Sequence, residues 1–140
     1  MSEFINKEIE FLARTVYGEA RGENLETQLY VAWVIRNRVQ AKGWFGNTYE
    51  EVVTKPFQFS SWNKNDPNYE RVMQPTGAAW RSSLGIAQAV YYAPEKHNPI
   101  PEIYHFYDRS LDNSPPSWAK DAEVVRFDFI PKMRFVRGVK

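Results

Sequence analysis

The sequence predicts a helix-dominated α+β domain with its β part at the C-terminal end. Three observations carry this. Apolar residues recur at helical spacing through most of the first hundred positions. The pattern changes to two-residue alternation near residue 103. The 140 residues, 43% hydrophobic and 25% charged, are enough to bury one core and show no repeat or linker, so positions 1–140 are read as a single catalytic domain.

The elements follow in order. Asn6 is a candidate N-cap for a helix over 7–20, with Ile9, Leu12, Ala13, Val16 and Ala20 as its apolar stripe. At about 100° per residue, Glu19 falls at the edge of that stripe, about 60° from Val16, where a solvated helix has no reason to place a carboxylate. Gly18 and Gly22 flank it and suggest that the helix frays or ends there. Residues 25–41 predict a second, more buried helix, apolar around most of its circumference from Leu25 to Val39 and stopped by Gly43. Asn37 lies inside that run and needs a partner if it is buried. Thr48 to Glu51 form a capping box for a short helix that Pro56 ends. Residues 57–76 read as a long loop, and Gly77 to Ala93 as another helix with Ala79, Trp80, Leu84, Ala87, Val90 and Tyr91 toward the core. Residues 103–107, 125–129 and 133–135 read as strands, the last two joined at a Pro131 turn into a small antiparallel hairpin.

Composition narrows the function. The net charge of +1 provides no global field for nucleic acid. With no cysteine, thiol catalysis and cysteine-ligated zinc are excluded. No stretch is long enough to span a membrane, and the first eight residues carry acids where an export leader needs a basic region. Lys132, Arg134, Arg137 and Lys140 read as a solvated basic tail or as a loose dock for an anionic surface. Aromatics reach 16%, a surplus that serves either a core or stacking on sugar rings.

Cleaving a glycosidic bond requires a proton donor at the leaving oxygen, and a carboxyl serves at neutral pH when burial raises its pKa. Glu19 fits by position, and Glu23, four residues on, fits in part. On spacing alone both carboxylates are better explained as ion-pair partners of Arg14 or Arg21, because structural ion pairs are common.

Leu12 to Glu23, containing Gly-Glu-Ala-Arg-Gly-Glu, followed by Val31 to Val39 with Asn-Arg-Val, resembles the signature of the SleB-like cell-wall hydrolases. This family includes the spore-cortex-lytic enzymes and phage members. Gln58 to Trp62, His105 to Tyr107 and Pro116 to Ala119 agree with it in order and spacing, although Tyr104 stands where the pattern has Thr. The resemblance implies a lysozyme-like core cutting peptidoglycan glycan strands between N-acetylmuramic acid and N-acetylglucosamine. It implies Glu19 as catalytic acid, a lytic transglycosylase product with a 1,6-anhydro end, and no metal or cofactor. The expected substrate contacts are Gln58, Ser60, Trp62, Tyr104, His105 and Tyr107, with Phe59, Phe106 and Trp118 as further aromatics, each of which packing in the core explains as well. Glu23 and Asn37 are expected in supporting roles, and Glu23, Glu26 and Asp66 are the candidates for a second carboxylate in a hydrolytic muramidase. Without a leader, the chain is expected to be a monomeric phage endolysin, made in the cytoplasm and released to the wall by a separate membrane-permeabilising protein.

Overall fold

A computed structural model describes residues 6–140. The reading of the first residues as lacking a leader falls largely on positions 1–5, outside the described residues.

Helix α1 spans Lys7–Ala20, with the Asn6 side chain accepting from the Glu8 amide as its N-cap. Its stripe of Ile9, Leu12, Ala13, Val16 and Ala20 is buried. Each of the larger side chains contributes roughly 1.5–3 kcal/mol by leaving water. Gly18 does not fray the helix, which runs two residues past it; the turn falls at Gly22, whose φ is +85°. Helix α2 covers Leu25–Ala41 and is capped by Asn24, while Lys42, not Gly43, takes the left-handed C-cap conformation. It packs against α1 on one side and the sheet on the other, which is why it is apolar around most of its surface. Helix α3, Tyr49–Thr54, has the expected Thr48 cap, while the Glu51 carboxylate reaches back to the Asn47 amide. The Glu8 carboxylate accepts from the first two amides of α3 and so ties it to α1.

The segment read as a long loop contains a 3₁₀ turn at Ser60–Trp62 and a short helix α4, Tyr69–Met73. Helix α5 is Gly77–Tyr92; its buried face is Ser83, Ile86, Ala87 and Val90, and Ala79 is exposed. Helices α1, α2 and α5 enclose the main core with the inner face of the sheet.

The sheet has three antiparallel strands, β1 (Ile103–Asp108), β2 (Glu123–Phe127) and β3 (Ile130–Arg137), in the order β1-β3-β2. The expected hairpin of the last two is present, and β1 adds to its far edge. Its turn is Asp128–Phe129, and Pro131 lies inside β3. Between Phe127↔Ile130 and Val125↔Phe135 the register slips, so Pro131 occupies a stretch in which β3 is out of step with β2. A second slip lies in β1: Ile103 pairs with Arg137 and His105 with Val136, which leaves Tyr104 as the extra, bulged residue.

The four C-terminal cations are not a free tail. They lie on and just beyond β3, and three have partners: Lys132 with Glu23, Arg134 with Asp112, and Arg137 with Glu123.

Candidate active site

Glu19 opens into a groove of about 660 Å³, a volume within the usual range for a ligand site. The last turn of α1 supplies Glu19 and α2 supplies Arg38. The turn after α2 supplies Trp44 and Phe45, residues 57–59 one rim, and β1 with Trp118 the other. Val139 and Lys140 complete the lining. Glu19 is the only side-chain carboxylate among the described residues that line it.

The seat of that carboxyl is built by a close approach. A Cβ on Gly18 would stand 2.6 Å from Ser61 Oγ and 2.7 Å from Val72 Cγ2. The missing side chain lets the 3₁₀ turn lie against α1, and Ser61 Oγ then donates to Glu19 Oε2 at 2.9 Å. Ser61 is 1% exposed. Glu19 itself is half-buried: it opens on the groove while its carboxyl end has lost most of its water. Burial therefore raises its pKa, the Ser61 hydroxyl opposes this, Asp66 adds to the rise, and the Ser61 amide and Arg38 oppose it. The outcome is a carboxyl held above the ordinary glutamate value. A carboxyl with a raised pKa facing a groove is what general-acid chemistry needs.

The wall of the groove over Phe45 is shaped by the bulge in β1. In a regular strand, adjacent side chains point to opposite faces. With the extra residue, Tyr104 and His105 both reach the Phe45 ring, at centroid distances of 5.7 Å each. The Tyr104 carbonyl accepts from Arg38 Nε at 2.7 Å. His105 also packs on Trp118 at 5.0 Å. Its pKa is pushed down to about 4, mainly by burial and further by Arg38, so the ring faces the groove neutral. Phe57 forms the opposite rim. It is 90% exposed and has a φ of +67°, a left-handed backbone that costs a bulky residue about 1–3 kcal/mol.

The sequence-derived candidates separate. Glu19, Gln58 and His105 line the groove, as do Phe59, Phe106 and Trp118. Tyr104 touches the site through its carbonyl and its stack on Phe45. Ser60 is exposed and outside the lining; its neighbour Ser61 is the one that reaches Glu19. Trp62 turns away from the groove, stacks on Phe11 at 5.5 Å and donates its indole N–H to Thr15 Oγ1 at 2.9 Å. Tyr107 is buried against Ala119 and Val136. Glu23 pairs with Lys132 instead of facing Glu19. Asn37 is buried, donates to the Ile100 and Ile103 carbonyls and accepts from Asn98, which ties α2 to the approach to β1. Neither Glu26 nor Asp66 lines the groove. The unforeseen members are Arg38, Trp44, Phe45, Phe57 and Ser61. Arg38 carried the same signal as Asn37, a polar side chain inside an apolar helical run. Ser61 and Phe57 carried none, because only the turn geometry selects them over their neighbours.

Comparison with known proteins adds three findings. Residues 22–136 match the Cell Wall Hydrolase family, a span that begins just after Glu19. Over 117 residues the chain is 32% identical to the spore cortex-lytic enzyme of Bacillus subtilis (strain 168). That alignment takes in 84% of this chain and 34% of the relative, so the chain spans about a third of that protein's length. The catalytic domain of the germination-specific lytic transglycosylase SleB from Bacillus anthracis superposes with a TM-score of 0.66 at 22% identity, covering 98% of this chain and 99% of that one. That likeness establishes the helix-rich α+β fold with its small antiparallel sheet.

Proposed function

This chain belongs to the cell wall hydrolase family, and from that premise we propose that it cleaves peptidoglycan glycan strands between N-acetylmuramic acid and N-acetylglucosamine, as a lytic transglycosylase with Glu19 as its single acid and base. The observation that carries this reading is one carboxyl, raised by burial and held by Ser61, alone among the acids in an aromatic groove.

The chemistry follows from that arrangement. Protonated Glu19 gives its proton to the glycosidic oxygen as the bond to muramic C1 breaks. The carboxylate left behind accepts the Ser61 hydrogen bond and feels Arg38, which stabilise it while the charge lasts. It then takes the proton of the C6 hydroxyl on the same ring, and that oxygen closes on C1. The products are a 1,6-anhydromuramic end and a free hydroxyl on the leaving sugar, with the proton back on Glu19. Ring closure needs no second reactant to be captured. A hydrolytic muramidase needs a second group to hold water or stabilise C1. Glu23 is engaged by Lys132, and Asp66 accepts from the Asn68 amide. Neither faces Glu19 across the groove, which favours the transglycosylase. The names of the two relatives support the same substrate and chemistry. They point to wall or cortex, and neither bears on an endolysin role.

The test is digestion of purified peptidoglycan, followed by mass spectrometry before and after borohydride. Anhydro ends are one water lighter than reducing ends and resist reduction. Predominantly reducible muramic ends reject the transglycosylase and promote the muramidase.

A further inference from the structure

Helix α2 buries two arginines two residues apart, and their surroundings differ. Arg36 Nη1 donates to the Val90 and Ala93 carbonyls at the end of α5, and its Nη2 lies 3.6 Å from the Glu95 carboxylate. Arg38 is 5% exposed and has no carboxylate in ion-pair contact among the described residues. Its acceptors are neutral: the Tyr104 carbonyl for Nε at 2.7 Å and Gln58 Oε1 for Nη1 at 3.3 Å. Phe45 and Phe59 both lie close to the guanidinium, with ring centroids 4.7 and 5.0 Å from Cζ. Nη2 has no partner among the described residues, yet it is not sealed from solvent. The open edge of the guanidinium therefore belongs to the groove that Arg38 helps to line.

A buried cation without a counter-ion is costly. Glu19 feels the charge of Arg38 without making an ion pair with it, and the proposed general-acid role requires its carboxyl to be neutral when the substrate binds. The other titratable side chains lining the groove are a neutral His105 and Lys140. A planar guanidinium packed against two rings, with Nη2 free and Nη1 on a long bond, matches a carboxylate taken in bidentate fashion. We infer that Arg38 is a carboxylate-binding subsite beside Glu19, and that its counter-ion arrives with the substrate. This deepens the function proposed above and rests on it.

Glycan strands offer carboxylates from two sources: the lactyl group of muramic acid where no peptide is attached, and the stem peptide where one is. Three substrates distinguish them: peptide-free strands, the same strands with their lactyl carboxyls converted to methylamides, and peptide-bearing strands. The expected result is that a carboxylate-bearing substrate exceeds the amidated one by about 10- to 100-fold in kcat/KM. Arg38→Gln removes that preference and Arg38→Lys restores part of it, with thermal melting to confirm folding. The favoured strand names the source of the carboxylate. Equal cleavage of all three by the wild type, or an undiminished preference in folded Arg38→Gln, overturns the inference. Should Arg38→Gln not fold, competition on the wild-type enzyme decides between the outcomes, with the free acid and methylamide of N-acetylmuramic acid for a lactyl preference, or of a stem peptide for a peptide one. Equal inhibition by acid and amide overturns the inference. A wild type that cleaves none of the strands rejects the proposed function instead.

Discussion

Replacing Gly18 with alanine tests how the acid is seated. The new methyl group stands 2.6 Å from Ser61 Oγ, 2.7 Å from Val72 Cγ2 and 2.9 Å from Ser61 Cβ. None of these neighbours retreats easily: Val72 is fully buried and β-branched, and Ser61 Cβ moves only with its backbone. Overpacking of this kind costs about 1–3 kcal/mol, and alanine recovers about 1 kcal/mol over glycine inside a helix. The net loss is about 0–2 kcal/mol. For 140 residues, at roughly 2.1 cal/mol/K of unfolding entropy per residue, that lowers Tm by up to about 7 °C. Activity falls further than stability, because relief of the clash carries Ser61 Oγ away from Glu19 Oε2; the expected loss in rate of peptidoglycan digestion is about tenfold or more, measured well below the melt. In a Ser61→Ala background the hydroxyl is already gone, so Gly18→Ala then costs less activity. A Gly18→Ala protein that melts at or above the wild type and digests at full rate refutes the reasoning.

Glu19→Gln keeps the shape of the acid and removes its proton, and turnover falls by roughly 10²–10⁴. Because Glu19 is raised in the fold, the native state holds a proton that the unfolded chain has lost, so wild-type stability declines as pH rises from the ordinary value of 4.5 toward the raised one. The glutamine variant escapes that decline, and its Tm advantage over wild type grows across that window; a constant difference from pH 4 to 8 contradicts a raised pKa. His105 runs the other way, with its contribution to stability rising with pH between about 4 and the ordinary 6.5, and NMR titration should find its ring protonating near pH 4. A midpoint near 6.5 contradicts the buried placement. Trp62→Ala is expected to cost about 2–4 kcal/mol of stability and leave glycan binding intact once folded. Phe57→Gly relieves a left-handed backbone, so it should hold or raise Tm while weakening glycan binding. The opposite pattern in either variant reverses its assignment.

Much of the helical frame was legible in the sequence, because α1 and α2 announce themselves by their apolar residues and α1 also by Asn6 at its start. The ends were less so. Gly18 reads as a helix breaker and is a helix-interior residue, since local propensity carries no information about a turn 43 positions away pressing on it. Pro131 reads as a turn and lies in a strand, because its missing N–H is harmless where the ladder slips. Among the site residues, Glu19 was legible as a carboxylate misplaced on an apolar stripe. Choosing Ser61 over Ser60, or the backbone carbonyl of Tyr104 over its ring, depends on a 3₁₀ turn and a bulge that leave no periodic trace. Trp62 and Phe57 show the same limit in aromatics: the ring near the signature serine turns inward, and the fully exposed one forms the rim.

The bulge at Tyr104 also sets a rule of parity for the groove. A strand counts in twos, and β1 reaches its site on an odd count. Removing Tyr104, the one residue between Ile103 and His105, restores the even count and takes away both the ring stacked on Phe45 and the carbonyl that Arg38 meets. Adding one shifts the ladder against β3 instead. An edge strand ordinarily tolerates such changes in length, because only one of its sides is paired. Here a single deletion dismantles the wall over Phe45 and withdraws the carbonyl from Arg38 without altering any side chain that lines the groove. Chain length at this one position is therefore as much a part of the site as the identity of its residues.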